Sequence, residues 1–167
     1  MRAYRRSPLL NTKIRNLSSL KKIIRNLKAR GKKIVFTNGC FDLLHYGHAK
    51  YLEDAKRKGD ILVVAVNSDS SVRKIKGEKR PLVNEKRRSG LIAALQSVDF
   101  VILFREETPI KVIKELRPDV LIKGADWNRN NIVGADFIKC IGGRVSTVKL
   151  VKGLSTTNLI KKIAQSF

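Results

Sequence analysis

The stretch 34–48, Ile34-Val35-Phe36-Thr37-Asn38-Gly39-Cys40-Phe41-Asp42-Leu43-Leu44-His45-Tyr46-Gly47-His48, decides how this chain is read. It opens on a short continuous apolar run, which suits a strand buried on both faces. A polar, Gly-containing segment follows at once, and a helical pattern begins near residue 47. Strand, polar turn and helix in direct succession are the opening of a βαβ unit.

Working outward, the same order repeats. Apolar runs recur at Ile61 to Val66, Phe100 to Phe104, Val120-Leu121-Ile122 and Val145 to Leu150. Helical patterns lie near 47–58, 85–97, 108–116, 134–141 and 156–165, with Thr108-Pro109 as N-cap and N1, and Arg117-Pro118 as a stop. Upstream, Leu17, Leu20, Ile23, Ile24 and Leu27 recur at helical spacing, with Ser18 or Ser19 as N-cap and Gly31 as the end. Residues 1–16 show no period and read as a flexible basic arm ahead of a single domain over 17–167. The expected fold is a Rossmann-like open doubly wound α/β sheet of about five parallel strands with an added N-terminal helix.

Composition sets outer bounds. A chain of 167 residues suits one domain, and 43% hydrophobic residues with only 6% aromatic predicts a core of Val, Ile and Leu. Two cysteines, Cys40 and Cys140, make no disulfide framework, so a reduced, cytoplasmic setting is expected. No apolar run reaches membrane-spanning length, and the N-terminus lacks the apolar stretch of a secretory signal. No acid precedes Asp42, a composition shared with organelle transit peptides, although an exposed arm is the simpler reading. The net charge of +22 favours anionic partners, but a solvated Lys-rich surface produces the same figure.

In open α/β sheets, ligands bind beyond the carboxyl ends of the strands. Thr37-Asn38-Gly39, Asn67-Ser68-Asp69, Lys123-Gly124-Ala125-Asp126 and Gly153-Leu154-Ser155-Thr156-Thr157 each follow a strand directly, so they should share one pocket. The only histidines, His45 and His48, share a face of the next helix's first turn, where free N–H groups and the dipole favour a polyphosphate. Gly47 lets a base or ribose approach the backbone. Metal ligands or ordinary surface histidines are the alternatives, and a metal lacks a third ligand at convincing spacing.

No P-loop, no Gly-x-Gly-x-x-Gly after the first strand and no Gly-x-Ser-x-Gly elbow occurs. What remains is a phosphate site without a base or covalent nucleophile. That suits phosphoryl chemistry whose attacking group is itself a phosphate. Arg73, Lys74, Lys76, Lys79, Arg80, Arg87 and Lys123 are the candidate neutralising cations. Lys74 and Lys79 read as solvated, whereas Lys76-Gly77 and Arg80-Pro81 sit on fixed backbone. Ser155-Thr156-Thr157 can cap the last helix and also donate to phosphates.

These residues also carry a family resemblance. His45-Tyr46-Gly47-His48 resembles the HxGH motif of the nucleotidyltransferase superfamily, which includes pantetheine-phosphate adenylyltransferase, glycerol-3-phosphate cytidylyltransferase and, more distantly, class I aminoacyl-tRNA synthetases. From about Leu17 to the C-terminus, the pattern is similar to the adenylyltransferase part of ADP-heptose synthase. It comprises Phe36-Thr37-Asn38-Gly39-Cys40-Phe41-Asp42, Val66-Asn67-Ser68-Asp69, Lys76-Gly77-x-x-Arg80-Pro81, Lys123-Gly124-x-Asp126 and Ser155-Thr156-Thr157-Asn158. One departure is Ala125, where a second Gly is common.

The resemblance implies that ATP and D-glycero-β-D-manno-heptose 1-phosphate react to give ADP-heptose and pyrophosphate, with Mg²⁺ on the phosphates. It implies catalytic roles for His45, His48, Lys76 and Arg87. The nucleotide would meet Thr37, Asn38, Gly39, Cys40, Phe41, Asp42, Gly47, Lys123, Gly124, Asp126, Ser155, Thr156 and Thr157, and the sugar phosphate Asn67, Asp69, Arg80 and Trp127. Many relatives fuse this part to a sugar kinase, so a separate kinase is the expected pathway partner; a homodimer is compatible. The rival within enzymes is a cytidylyltransferase for glycerol 3-phosphate or a similar polyol phosphate. The rival of another class, a nucleic-acid-binding module, is disfavoured by the few aromatics available for stacking. Size excludes a tRNA synthetase.

Overall fold

The computed structural model describes residues 12–125, 132–151 and 153–166. Five strands, β1 (Ile34–Gly39), β2 (Ile61–Asn67), β3 (Phe100–Phe104), β4 (Val120–Gly124) and β5 (Arg144–Val148), form one sheet in the order β3-β2-β1-β4-β5. Every pairing is parallel, with Val35 opposite Leu62 on one side of β1 and Val120 on the other. The chain winds outward from β1 through β2 to β3, then returns across β1 to β4 and β5. The reversal places a crevice beyond the carboxyl ends of β1 and β4.

Seven helices accompany the described strands: α1 (Leu17–Ala29), α2 (Tyr46–Lys56), α3 (Asp69–Lys76), α4 (Glu85–Ala94), α5 (Ile110–Leu116), α6 (Ala135–Cys140) and α7 (Thr156–Gln165). Leu20 and Ile24 of α1, Val112, Ile113 and Leu116 of α5, and Ile138 of α6 pack with Ile34, Phe36, Val63, Ile102 and Leu121. Tyr51, Leu52 and Ala55 of α2, with Ile92 and Ala93 of α4, pack with Val35, Leu62, Val64, Val101 and Ile122. Alternate residues of β1 to β4 therefore feed opposite cores, which is why those strands read as apolar runs, while the edge strand β5 is more polar.

Several boundaries differ from expectation. Asn16, rather than Ser18 or Ser19, caps α1, accepting from the Ser19 amide at 2.8 Å. Part of the expected arm is docked: Ile14 bridges Val101, and the Arg15 amide donates to the Val101 carbonyl at 2.9 Å. Residues 1–11 lie outside the described residues. The charge run after β2 is a helix, α3, whose N-cap Ser68 accepts from the Ser71 amide and whose Val72 is fully buried. Its eight residues hold too few apolar positions to display a period. Pro109, not Thr108, is the N-cap of α5. No described helix is long and apolar enough to cross a membrane.

Candidate active site

Residues at or beyond the ends of all five strands line a cavity of about 680 Å³ at the crevice. The loop after β1 supplies Asn38 to Asp42, His45, Gly47 and His48, the β2 end supplies Asn67, and α3 supplies Lys76. Arg80 follows, Lys123 and Gly124 close β4, and Ser155 to Thr157 open α7. A cavity of this size suits a nucleotide with a small co-substrate.

The loop from β1 to α2 is fixed by its own side chains. Phe41 takes a left-handed backbone (φ +48), rare for a bulky residue, yet its ring is buried and meets the His48 ring edge-on at 5.3 Å. A Cβ on Gly39 would come within 3.0 Å of that phenyl ring, so the glycine admits the turn. Asp42, 2% exposed, anchors the loop across to 80–83. Its carboxylate accepts from Arg80 Nε at 2.6 Å, the Leu82 amide at 2.8 Å and the Val83 amide at 2.9 Å. Burial alone would raise its pKa, but the Val83 and Leu82 amides and Arg80 outweigh that and hold it below the ordinary carboxyl value.

His45 is the N-cap residue of α2 and makes no capping bond with its side chain. Its ring stacks on His48 with centroids 3.9 Å apart and planes 24° from parallel. Both ring nitrogens of His45 and Nδ1 of His48 are buried without a hydrogen-bond partner. Burial lowers the pKa of both histidines; that of His48 falls to about 4, with His45 adding to the effect. Two neutral imidazoles with orphaned nitrogens at a helix N-terminus leave donors for an anion that the chain itself does not supply. A Cβ on Gly47 would lie 3.0 Å from the His45 ring and 3.4 Å from Leu154 Cβ, so the packing of the pair relies on glycine there.

Across the crevice, Lys123 Nζ donates to Asn38 Oδ1 at 2.5 Å, tying β4 to β1. The Ser155 hydroxyl caps α7 by accepting from the Asn158 amide at 3.1 Å. Its proton and the first amides of α7 face no intrahelical acceptor. Cys40 lines the cavity, and burial pushes its thiol pKa up, so it stays protonated near neutrality.

Three expected site residues stand outside the lining, a fourth is on it but already engaged, and two more are not described. Thr37 is fully buried beneath the loop, its hydroxyl 2.7 Å from that of Tyr51, which does line the cavity. Asp42 reaches the lining, but amides and Arg80 occupy its carboxylate. Asp69 Oδ1 accepts from Arg88 Nη2 at 2.7 Å and lies outside the lining. Arg87 is exposed on the outer face of α4, because adjacent helical residues point about 100° apart. Asp126 and Trp127 lie outside the described residues.

The arginine that turns inward is Arg88, fully buried. Its guanidinium donates to the Cys40 and Val83 carbonyls, to the Asn67 carbonyl at 2.8 Å and to Asp69. It therefore joins the ends of β1 and β2 to the 77–84 segment. In sequence, only its position on the apolar side of α4, four before Ile92, marked it out. The wall Glu107-Thr108-Pro109 after β3 was also missed, since it carries no glycine-rich signal.

Comparison with known proteins identifies the family. The family model described as cytidylyltransferase-like matches residues 36–162. The chain is 54% identical over 157 residues to bifunctional protein HldE of Geobacter metallireducens, covering 94% of this chain and 32% of that one. It is 50% identical to the protein of the same name in Geobacter sulfurreducens, with the same coverage. The chain thus spans about a third of the length of these curated relatives. Among solved structures, the lipopolysaccharide core biosynthesis protein of Thermoplasma volcanium is 36% identical, with TM-score 0.59, covering 73% of this chain and 98% of that one. Pantoate-beta-alanine ligase of Francisella tularensis shares the fold alone, at 15% identity and TM-score 0.62, covering 92% and 79%. With its HxGH histidines at the head of α2 and the family match running through most of its length, the chain belongs to the cytidylyltransferase-like family and is a nucleotidyltransferase.

Proposed function

We propose that the chain transfers AMP from ATP to D-glycero-β-D-manno-heptose 1-phosphate, releasing pyrophosphate and forming ADP-heptose. The observation that carries this reading is the stacked His45–His48 pair with orphaned ring nitrogens, set between Lys123, Lys76 and the N-terminus of α7. The names of the relatives, bifunctional protein HldE and lipopolysaccharide core biosynthesis protein, support the choice of a heptose acceptor.

In this mechanism, a phosphate oxygen of the sugar phosphate attacks the α-phosphorus in line, and the bond to the β-phosphate oxygen breaks. The attacking oxygen is already anionic, so no side chain needs to remove a proton. His45 and His48 donate N–H groups to phosphate oxygens as charge develops, and the head of α7 with Ser155 to Thr157 receives the leaving pyrophosphate. Lys123 holds the nucleotide from the β4 side, while Lys76 and Arg80 steady the acceptor phosphate. Mg²⁺ would enter with the triphosphate and neutralise it. Among the described residues no three His, Cys, Asp or Glu side chains gather as a ligand set, and the Asp42 carboxylate is already occupied.

A sugar kinase activity would supply the acceptor. The test is pyrophosphate release from ATP and from CTP across a panel of sugar 1-phosphates and glycerol 3-phosphate. Turnover is expected with ATP and the heptose 1-phosphate. Preference for CTP with glycerol 3-phosphate would overturn the reading.

A further inference from the structure

We infer that Glu107 and Thr108, in the segment between β3 and α5, form the acceptor-recognising wall of the site, with the Glu107 carboxylate accepting hydrogen bonds from the sugar's hydroxyl groups. This rests on the adenylyl-transfer reading above and deepens it.

Strand order supplies the first argument. The head of α7 reaches the crevice from β5 and the 105–109 segment from β3, at opposite edges of the sheet, while the histidine pair follows the central strand β1. In an in-line displacement, the attacking and leaving groups stand on opposite sides of the phosphorus. If pyrophosphate leaves towards α7, the acceptor enters from the side of β2 and β3. Lys76 and Arg80 stand there to meet its phosphate, and Glu107 and Thr108 lie beyond them on the same lining.

Charge supplies the second. Among the described residues lining the cavity, the acids are Asp42 and Glu107. Asp42 is committed to two amides and Arg80. Glu107 has only a long contact to Lys74, 3.9 Å apart with both side chains more than 60% exposed, which constrains it little. Next to a phosphate such a carboxylate would repel. Next to the neutral polyol end of a sugar it is a strong acceptor for O–H donors.

The segment is also held in place. The Ser68 amide donates to the Phe104 carbonyl at 2.8 Å, and Ser71 Oγ donates to the Glu106 carbonyl at 2.7 Å, so the head of α3 fixes its backbone. Pro109 is buried. The neighbouring Glu106 is occupied elsewhere, accepting from the Arg105 amide at 3.1 Å and pairing with Lys111 at 3.4 Å. Glu107 is thus the lining acid with no close partner, carried on a fixed backbone, a better arrangement for selecting hydroxyl positions than a mobile loop.

The test uses the full chain with E107Q and T108V, measuring pyrophosphate release with sugar 1-phosphate and ATP varied separately. E107Q is expected to raise KM for the heptose 1-phosphate about tenfold, the loss typical of one hydrogen bond to a charged group, and to leave KM for ATP unmoved. T108V should move the same constant in the same direction. An active wild type whose sugar KM does not change in E107Q, or whose ATP KM rises equally, would overturn this inference alone. A wild type that binds ATP yet turns over no sugar 1-phosphate would overturn the adenylyl-transfer reading instead.

Discussion

The imidazoles of His45 and His48 lie face to face at 3.9 Å, and three of their four ring nitrogens are buried with no partner. Burial lowers the pKa of both rings, and the neighbouring His45 lowers that of His48 further, so the neutral forms are favoured until an anion arrives. The pair is a donor site held ready at the head of α2.

Replacing one ring should therefore remove a donor aimed at the transition state. His48→Ala is expected to lower turnover by about a hundredfold or more with little change in thermal stability. Pyrophosphate release and a melting curve on the same sample check this. Near-normal turnover in that variant would sink the assigned role.

Nucleotide binding should take up protons. His48 titrates at about 4 in the free protein, and nearby phosphate charge favours its protonated form, raising that value. Near pH 6 the complex then holds more protons than the free partners, and affinity for ATP strengthens as pH falls from neutrality. Calorimetric titration in buffers of different ionisation enthalpy measures the uptake. His48→Asn should reduce it, and equal uptake in both proteins would count against the histidine as its source.

Adjacent arginines on α4 should behave oppositely. Arg88→Met removes the cation that holds three carbonyls and Asp69, and should cost about 3 kcal/mol or more. At about 2–4 °C per kcal/mol, that is a fall in Tm of roughly 6–12 °C. Arg87→Ala lies on the exposed face and should change stability by less than about 0.5 kcal/mol. Its turnover should stay close to that of the wild type, and a collapse of activity would return Arg87 to the site.

Acid should loosen the loop that carries the pocket. The folded pKa of Asp42 is below its unfolded value, so its stabilising contribution is complete above the ordinary carboxyl range. That contribution drains away as pH falls through the folded value. Asp42→Asn should cost about 2 kcal/mol at pH 7 and flatten the acid limb of urea midpoint against pH. An acid limb equally steep in the variant would assign the effect to other carboxylates.

Much of the fold was legible locally. Apolar runs marked β1 to β4 because a parallel sheet covered on both faces leaves its inner strands no polar side, whereas the edge strand β5 carries Arg144, Ser146 and Thr147. The helix α3 escaped because eight residues with only Val72 and Ile75 apolar look like a charged loop. The HxGH segment, the end of β4 and the Ser-Thr-Thr turn were readable as strand-end loops, and they do line one cavity.

The sequence by itself determined the alternation of strand and helix, the placement of the histidines at a helix head and the absence of a P-loop or hydrolase elbow, because each is written within a few consecutive residues. Tertiary structure decided the rest. It turned Arg88 inward rather than Arg87, committed Asp42 to Arg80 and two amides, sank Thr37 beneath the floor, and brought Glu107 to the crevice from a strand two places away. Those outcomes depend on which way a side chain faces and what meets it from distant segments, and no local pattern encodes either.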